Sequence, residues 1–120
     1  MENTVLEKFH QGRQSLGTFS AIGSPLAVES LRYTGLDYVI VDTEHSPAGI
    51  ESAAAQIAAA QGAGLTALAR ANEISRTAVL RLLDVGAQGV VVPCVETVEE
   101  VRELVRYAKF APLGLSLIHI

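Results

Sequence analysis

Residues 41–47 read Val-Asp-Thr-Glu-His-Ser-Pro, placing two carboxylates and an imidazole, Asp42, Glu44 and His45, directly after the apolar run Tyr38-Val39-Ile40-Val41. An aspartate held against a histidine fixes the imidazole tautomer and tunes its proton affinity towards neutrality, which makes a general base. Arg70, which closes a second apolar run, offers the complementary tool: a planar, two-pronged contact to a carboxylate or an enolate. The same residues also have a structural reading. Asp42 can accept hydrogen bonds from its own loop or cap the next helix, and Arg70 can pair with Asp42 or Glu73, because a charge at a strand end needs compensation. His10 and His119 have no comparable context.

Other chemistries fit less well. A Schiff-base aldolase needs a lysine at a strand end, and Lys8 and Lys109 both fall in helical patterns. Ser20, His45 and Asp42 could compose a hydrolase triad, but the strained G-x-S-x-G turn that presents such a serine is absent. A metal site from Asp42, Glu44 and His45 alone is awkward, because neighbours along a strand point to opposite faces. What remains is a base and a fixed cation around a small, oxygen-rich anion.

The elements that must position these groups follow from periodicity. Short aliphatic runs at 16–22, 38–42, 65–70 and 89–95 predict four strands. Between them lie helical patterns with explicit start signals: Ser24-Pro25, Ser46-Pro47, Ser75, and Thr97 with Glu100 as a capping box. Gly86 sits where the helix before the fourth strand needs a left-handed terminator. The alanine-rich stretch from Ile50 to about Ala63 can approach a sheet closely, and an amphipathic helix carrying Val5, Leu6 and Phe9 precedes the first strand. Strands joined by crossover helices are parallel and wind in one direction. Parallel α/β folds keep their chemistry at the carboxyl ends of the strands, so Asp42, His45 and Arg70 should share one rim.

Composition narrows the partners. With 49% apolar residues and 5% aromatics, the chain suits aliphatic strands covered by helices. The net charge of -4 and the scatter of its nine Lys and Arg argue against nucleic acid. No apolar run reaches the ~18 residues of a membrane span, and the first twenty residues lack an apolar signal core, so a cytoplasmic protein is expected. The single cysteine excludes an internal disulfide, and the apolar setting Val90-Val91-Val92-Pro93 makes Cys94 an expected small core residue.

Four segments in order, LGTFSAIGSP, GLDYVIVDTEHSP, ALARAN and LLDVGAQGVVVPCVETVEE, resemble the HpcH/HpaI family of metal-dependent pyruvate aldolases over about residues 12–114. The resemblance implies a (β/α)8 barrel and reversible cleavage of a 4-hydroxy-2-oxo acid into pyruvate and an aldehyde. By it, Asp42 and His45 correspond to the family's acid-base dyad, Arg70 to the arginine that binds the 2-oxo acid and steadies its enolate, and Phe19 to a bulky aromatic beside the substrate. It also implies a divalent cofactor, magnesium, manganese or cobalt. The glutamate and aspartate that hold it lie at later strand ends, so no metal ligand is assigned in this chain. A homo-oligomer is implied for the complete protein.

A closed barrel takes eight strands and about 250 residues. The expectation is therefore that residues 1–114 are the N-terminal half of a barrel, inactive alone, and that 115–120, which fits no family pattern, is a frameshift or assembly artefact. The alternative is a non-catalytic half-barrel that self-associates or binds a partner, since open strand edges invite pairing.

Overall fold

The computed structural model describes residues 2–109. The order is α1 (Thr4–His10), β1 (Gly17–Ser20), α2 (Pro25–Ser30) with a 3₁₀ turn (Leu31–Tyr33), β2 (Tyr38–Asp42), α3 (Ile50–Gly62), β3 (Thr66–Arg70), α4 (Arg76–Asp84), β4 (Gly89–Val91) and α5 (Val98–Ala108). The four strands form one parallel sheet in the order β1-β2-β3-β4. That is four consecutive β/α units, half of the eight that close a barrel. The reading of 115–120 as an atypical tail falls outside the described residues.

Local chemistry sets most of the boundaries. Ser24, Ser75 and Thr97 each accept the backbone N–H three residues on, and Glu100 returns the contact to complete the capping box on α5. Gly86 takes φ 103° just past α4, a backbone that side chains disfavour. Along α3, Ala53, Ile57 and Ala60 are fully buried at helical spacing, and the small size of the two alanines lets the helix lie close to Val39, Val41, Ala67 and Ala69 of the sheet. Ile57 alone contributes about 1.5–3 kcal/mol by leaving water. The one fully buried polar side chain of that helix, Gln56, accepts from Ser20 Oγ at 2.9 Å, so β1 is tied to α3 without an orphaned polar group.

Three expectations need correction. The helix signalled at Ser46-Pro47 begins only at Ile50, with Gly49 at its cap and no side-chain capping bond. The Ser46 hydroxyl is used elsewhere: it donates to the Asp42 carbonyl and accepts from the Ala48 N–H. The fourth strand stops at Val91 rather than extending to 95, because Pro93 has no N–H for the ladder and Cys94 adopts φ 57°. Cys94 is exposed, not a core residue, since that left-handed turn directs the chain out of the sheet. The helix expected before the first strand is α1; none of its residues is buried, Phe9 being 75% exposed, and polar ties hold it, with Thr4 N–H on Thr66 Oγ1 and Lys8 on Asp37 at 2.6 Å. No described helix is long and apolar enough to cross a membrane.

Candidate active site

Which face of the sheet carries the chemistry follows from alternation along the strands. Val39 and Val41 of β2 and Ala67 and Ala69 of β3 belong to the core packed by helices, so Ile40, Asp42, Leu68 and Arg70 point to the opposite face. In a closed barrel that face is the interior. Phe19 stands in register with Ile40 and shares it. The same face alternates bulk with space: the Tyr38 ring lies over Gly17, where an added Cβ would fall 2.3 Å from a ring carbon.

The β2–β3 register sets Asp42 directly opposite Arg70. The guanidinium grips the carboxylate along one edge, Nε to Oδ1 at 3.0 Å and Nη2 to Oδ2 at 2.5 Å. Oδ1 also accepts the backbone N–H groups of Glu44 at 2.9 Å and His45 at 3.1 Å. Thr43 donates both its hydroxyl, at 2.6 Å, and its N–H, at 3.1 Å, to the Arg70 carbonyl. The loop after β2 is thus wrapped around one buried carboxylate and sewn to the end of β3. Phe19 supplies a floor for the guanidinium, whose carbon sits 4.8 Å from the ring centroid.

All four residues singled out from the sequence lie at this rim, but their pairing differs from the expected dyad. Asp42, Arg70 and Phe19 come together. The Asp42 carboxylate meets His45 only through the backbone, because both of its oxygens are engaged by Arg70. The imidazole, with its side chain 70% exposed, has Nε2 3.6 Å from Glu44 Oε2. The same Glu44 oxygen lies 3.4 Å from Arg70 Nε. Glu44 received no role from sequence reasoning, and its position between Asp42 and His45 was the available signal. Glu73, weighed as a partner for Arg70, accepts from Ser75 instead.

The electrostatics match the geometry. The hydrogen bonds from Arg70 are the largest cause that brings the Asp42 carboxyl from 3.8 down to about 2, with desolvation opposing and the two loop N–H groups assisting. Arg70 is pushed above its ordinary value by the same contact. Because the folded value of Asp42 lies below the unfolded one, its stabilisation is fully present above about pH 4 and lost as pH falls through about 2. The difference is on the order of 2 kcal/mol. Urea unfolding of wild type and Asp42→Asn at stepped pH checks this: the variant is expected to be less stable at pH ~6 and to lose less on acidification. Parallel acid profiles would remove Asp42 as the origin.

Among the described residues no group of three or more His, Cys, Asp or Glu side chains is arranged to hold a metal ion. A cleft of about 240 Å³ between α3 and α4, lined by Thr43, Gly49, Asn72 and Arg81 among others, is a separate feature that Asp42, His45 and Arg70 do not line.

Residues 15–117 match the family model described as HpcH/HpaI aldolase/citrate lyase. The chain is 33% identical over 113 residues to the hydroxypyruvate/pyruvate aldolase of Roseovarius nubinhibens, covering 94% of this chain and 44% of that one. It is 30% identical over 115 residues to the 4-hydroxy-2-oxo-heptane-1,7-dioate aldolase of Escherichia coli, covering 96% and 44%. The crystal structure of an HpcH/HpaI aldolase from Desulfitobacterium hafniense DCB-2 superposes with a TM-score of 0.86 at 36% identity, over 94% of this chain and 44% of that one. The chain therefore spans less than half the length of the relatives it matches.

Proposed function

This chain belongs to the HpcH/HpaI aldolase/citrate lyase family, and from that premise we propose that it carries the arginine and histidine side of a carbon-carbon lyase site acting on a 4-hydroxy-2-oxo acid. The single observation that carries the reading is the rim itself. A guanidinium is locked by Asp42 and floored by Phe19, and a solvent-facing imidazole stands on the same loop.

The His45 imidazole accepts the proton of the 4-hydroxyl group while the bond between C3 and C4 breaks. The hydroxyl oxygen becomes the carbonyl of the released aldehyde, and the electron pair passes into the pyruvate enolate. Arg70 faces the negative charge on the enolate oxygen, where a pre-positioned cation is most effective. The proton taken by His45 is then returned at C3, directly or through water, which gives pyruvate and restores the neutral imidazole. Phe19 offers an apolar wall against which the guanidinium rests.

The family resemblance also implies a divalent ion, which as a Lewis acid polarises the 2-oxo acid. The described residues do not fit it unaided: Asp42 is spent on Arg70, and Glu44 and His45 alone fall short of a ligand set. We assign its ligands to residues outside this chain and route no step through it. A homo-oligomer is part of the same proposal for a full-length form.

A full-length form is expected to release pyruvate from 4-hydroxy-2-oxo acids, and the 120-residue chain alone to show no turnover with magnesium, manganese or cobalt. Cleavage of a citrate-like thioester but not of an oxo acid would move the protein to the lyase side of its family. Turnover by the chain alone would show its site to be complete. The second reading, a non-catalytic half-barrel that pairs with itself or with a partner, is supported by Phe19, 51% exposed, on β1 at one end of the ladder.

A further inference from the structure

The carboxylate that deals with both working groups is Glu44, to which neither the motif nor the mechanism above gives a part. Its backbone N–H is fixed on Asp42 Oδ1 at 2.9 Å, which anchors the origin of its side chain. Its side chain is 20% exposed and directs one oxygen, Oε2, to Arg70 Nε at 3.4 Å and to His45 Nε2 at 3.6 Å. Asp42 is committed elsewhere: the guanidinium lies along both its oxygens, and Oδ1 takes the N–H groups of Glu44 and His45 as well.

We propose that Glu44 is a positioning residue whose Oε2 links the Arg70 guanidinium to the His45 imidazole and sets the spacing between cation and base. The functional meaning of this link rests on the lyase reading above. Both groups lie within ion-pair distance of one carboxylate oxygen, and an anion holds a guanidinium and an imidazole near each other where a neutral amide does so poorly. The arrangement also explains the order of the motif. Asp42 ends the strand and faces inward, and the chain then turns over its Oδ1, bringing Glu44 and His45 side by side above Arg70.

The test has two arms. In the 120-residue chain, the ring nitrogen shifts of His45 and the Nε shift of Arg70, both read through carbon-bound protons, are compared between wild type and Glu44→Gln, which keeps shape and removes charge. Both sets are expected to move; a change at only one residue, or at neither, overturns the link. In a full-length form, Glu44→Gln is expected to lower kcat/KM about tenfold or more in the wild-type background and less than about twofold in a His45→Ala background. Equal losses in both backgrounds would show that Glu44 does not act through the histidine. Wild-type protein that cleaves no oxo acid would refute the lyase reading, while the nitrogen shifts would still decide the link.

Discussion

Arg70→Ala is expected to cost the folded chain about 3–5 kcal/mol, a large fraction of the stability of a domain of this size. The reason lies with its partner. The Asp42 side chain is 3% exposed, and without the guanidinium its charge stays in the protein with only two backbone N–H groups to meet it. Arg70→Lys should recover part of the loss, since a point charge cannot span both carboxylate oxygens. Arg70→Ala combined with Asp42→Asn should recover more, because the uncompensated charge is gone. Urea denaturation of the four proteins measures these differences. A loss below about 1 kcal/mol for Arg70→Ala would mean that water reaches Asp42 once the arginine is removed. Activity of Arg70→Ala read beside its urea curve separates enolate binding from stability.

His45→Ala should behave in the opposite way. Its imidazole is largely in solvent, and the contact that shapes the loop comes from its backbone N–H, which alanine keeps. Stability should stay within about 0.5 kcal/mol of wild type. Cleavage by a full-length form should fall about 10²–10⁴-fold, the usual contribution of a positioned base. A stopped-flow or coupled assay for pyruvate, run beside a urea curve, separates the two quantities. Unchanged turnover would return His45 to a surface residue and leave Arg70 as the chemical group of the rim.

Much of this arrangement was legible in the residues. The aliphatic runs located all four strands, because an aliphatic run of that length between turn signals satisfies a buried parallel strand and little else. The caps at Ser24, Ser75 and Thr97 were legible because a cap is a contact between residues three apart and needs no knowledge of the rest of the chain. The failures came where a local signal competed with a distant one. Ser46-Pro47 has the composition of a helix start, yet the Ser46 hydroxyl is taken by the Asp42 carbonyl and α3 begins at Ile50. Cys94 sits among valines in the chain but turns outward in space.

By itself the sequence determined the alternation of strand and helix, and with it the gathering of Asp42, His45 and Arg70 at one end of a parallel sheet, since crossover handedness leaves few other topologies. What only the tertiary structure decided is which of these groups faces which. Asp42 and Arg70 are 28 residues apart in the chain and become cross-strand neighbours through the β2–β3 register. A shift of one residue in that register would turn one of them into the helix-packed core. Pairing across strands is fixed by the packing of whole elements, so the carboxylate went to the arginine and left the histidine to Glu44.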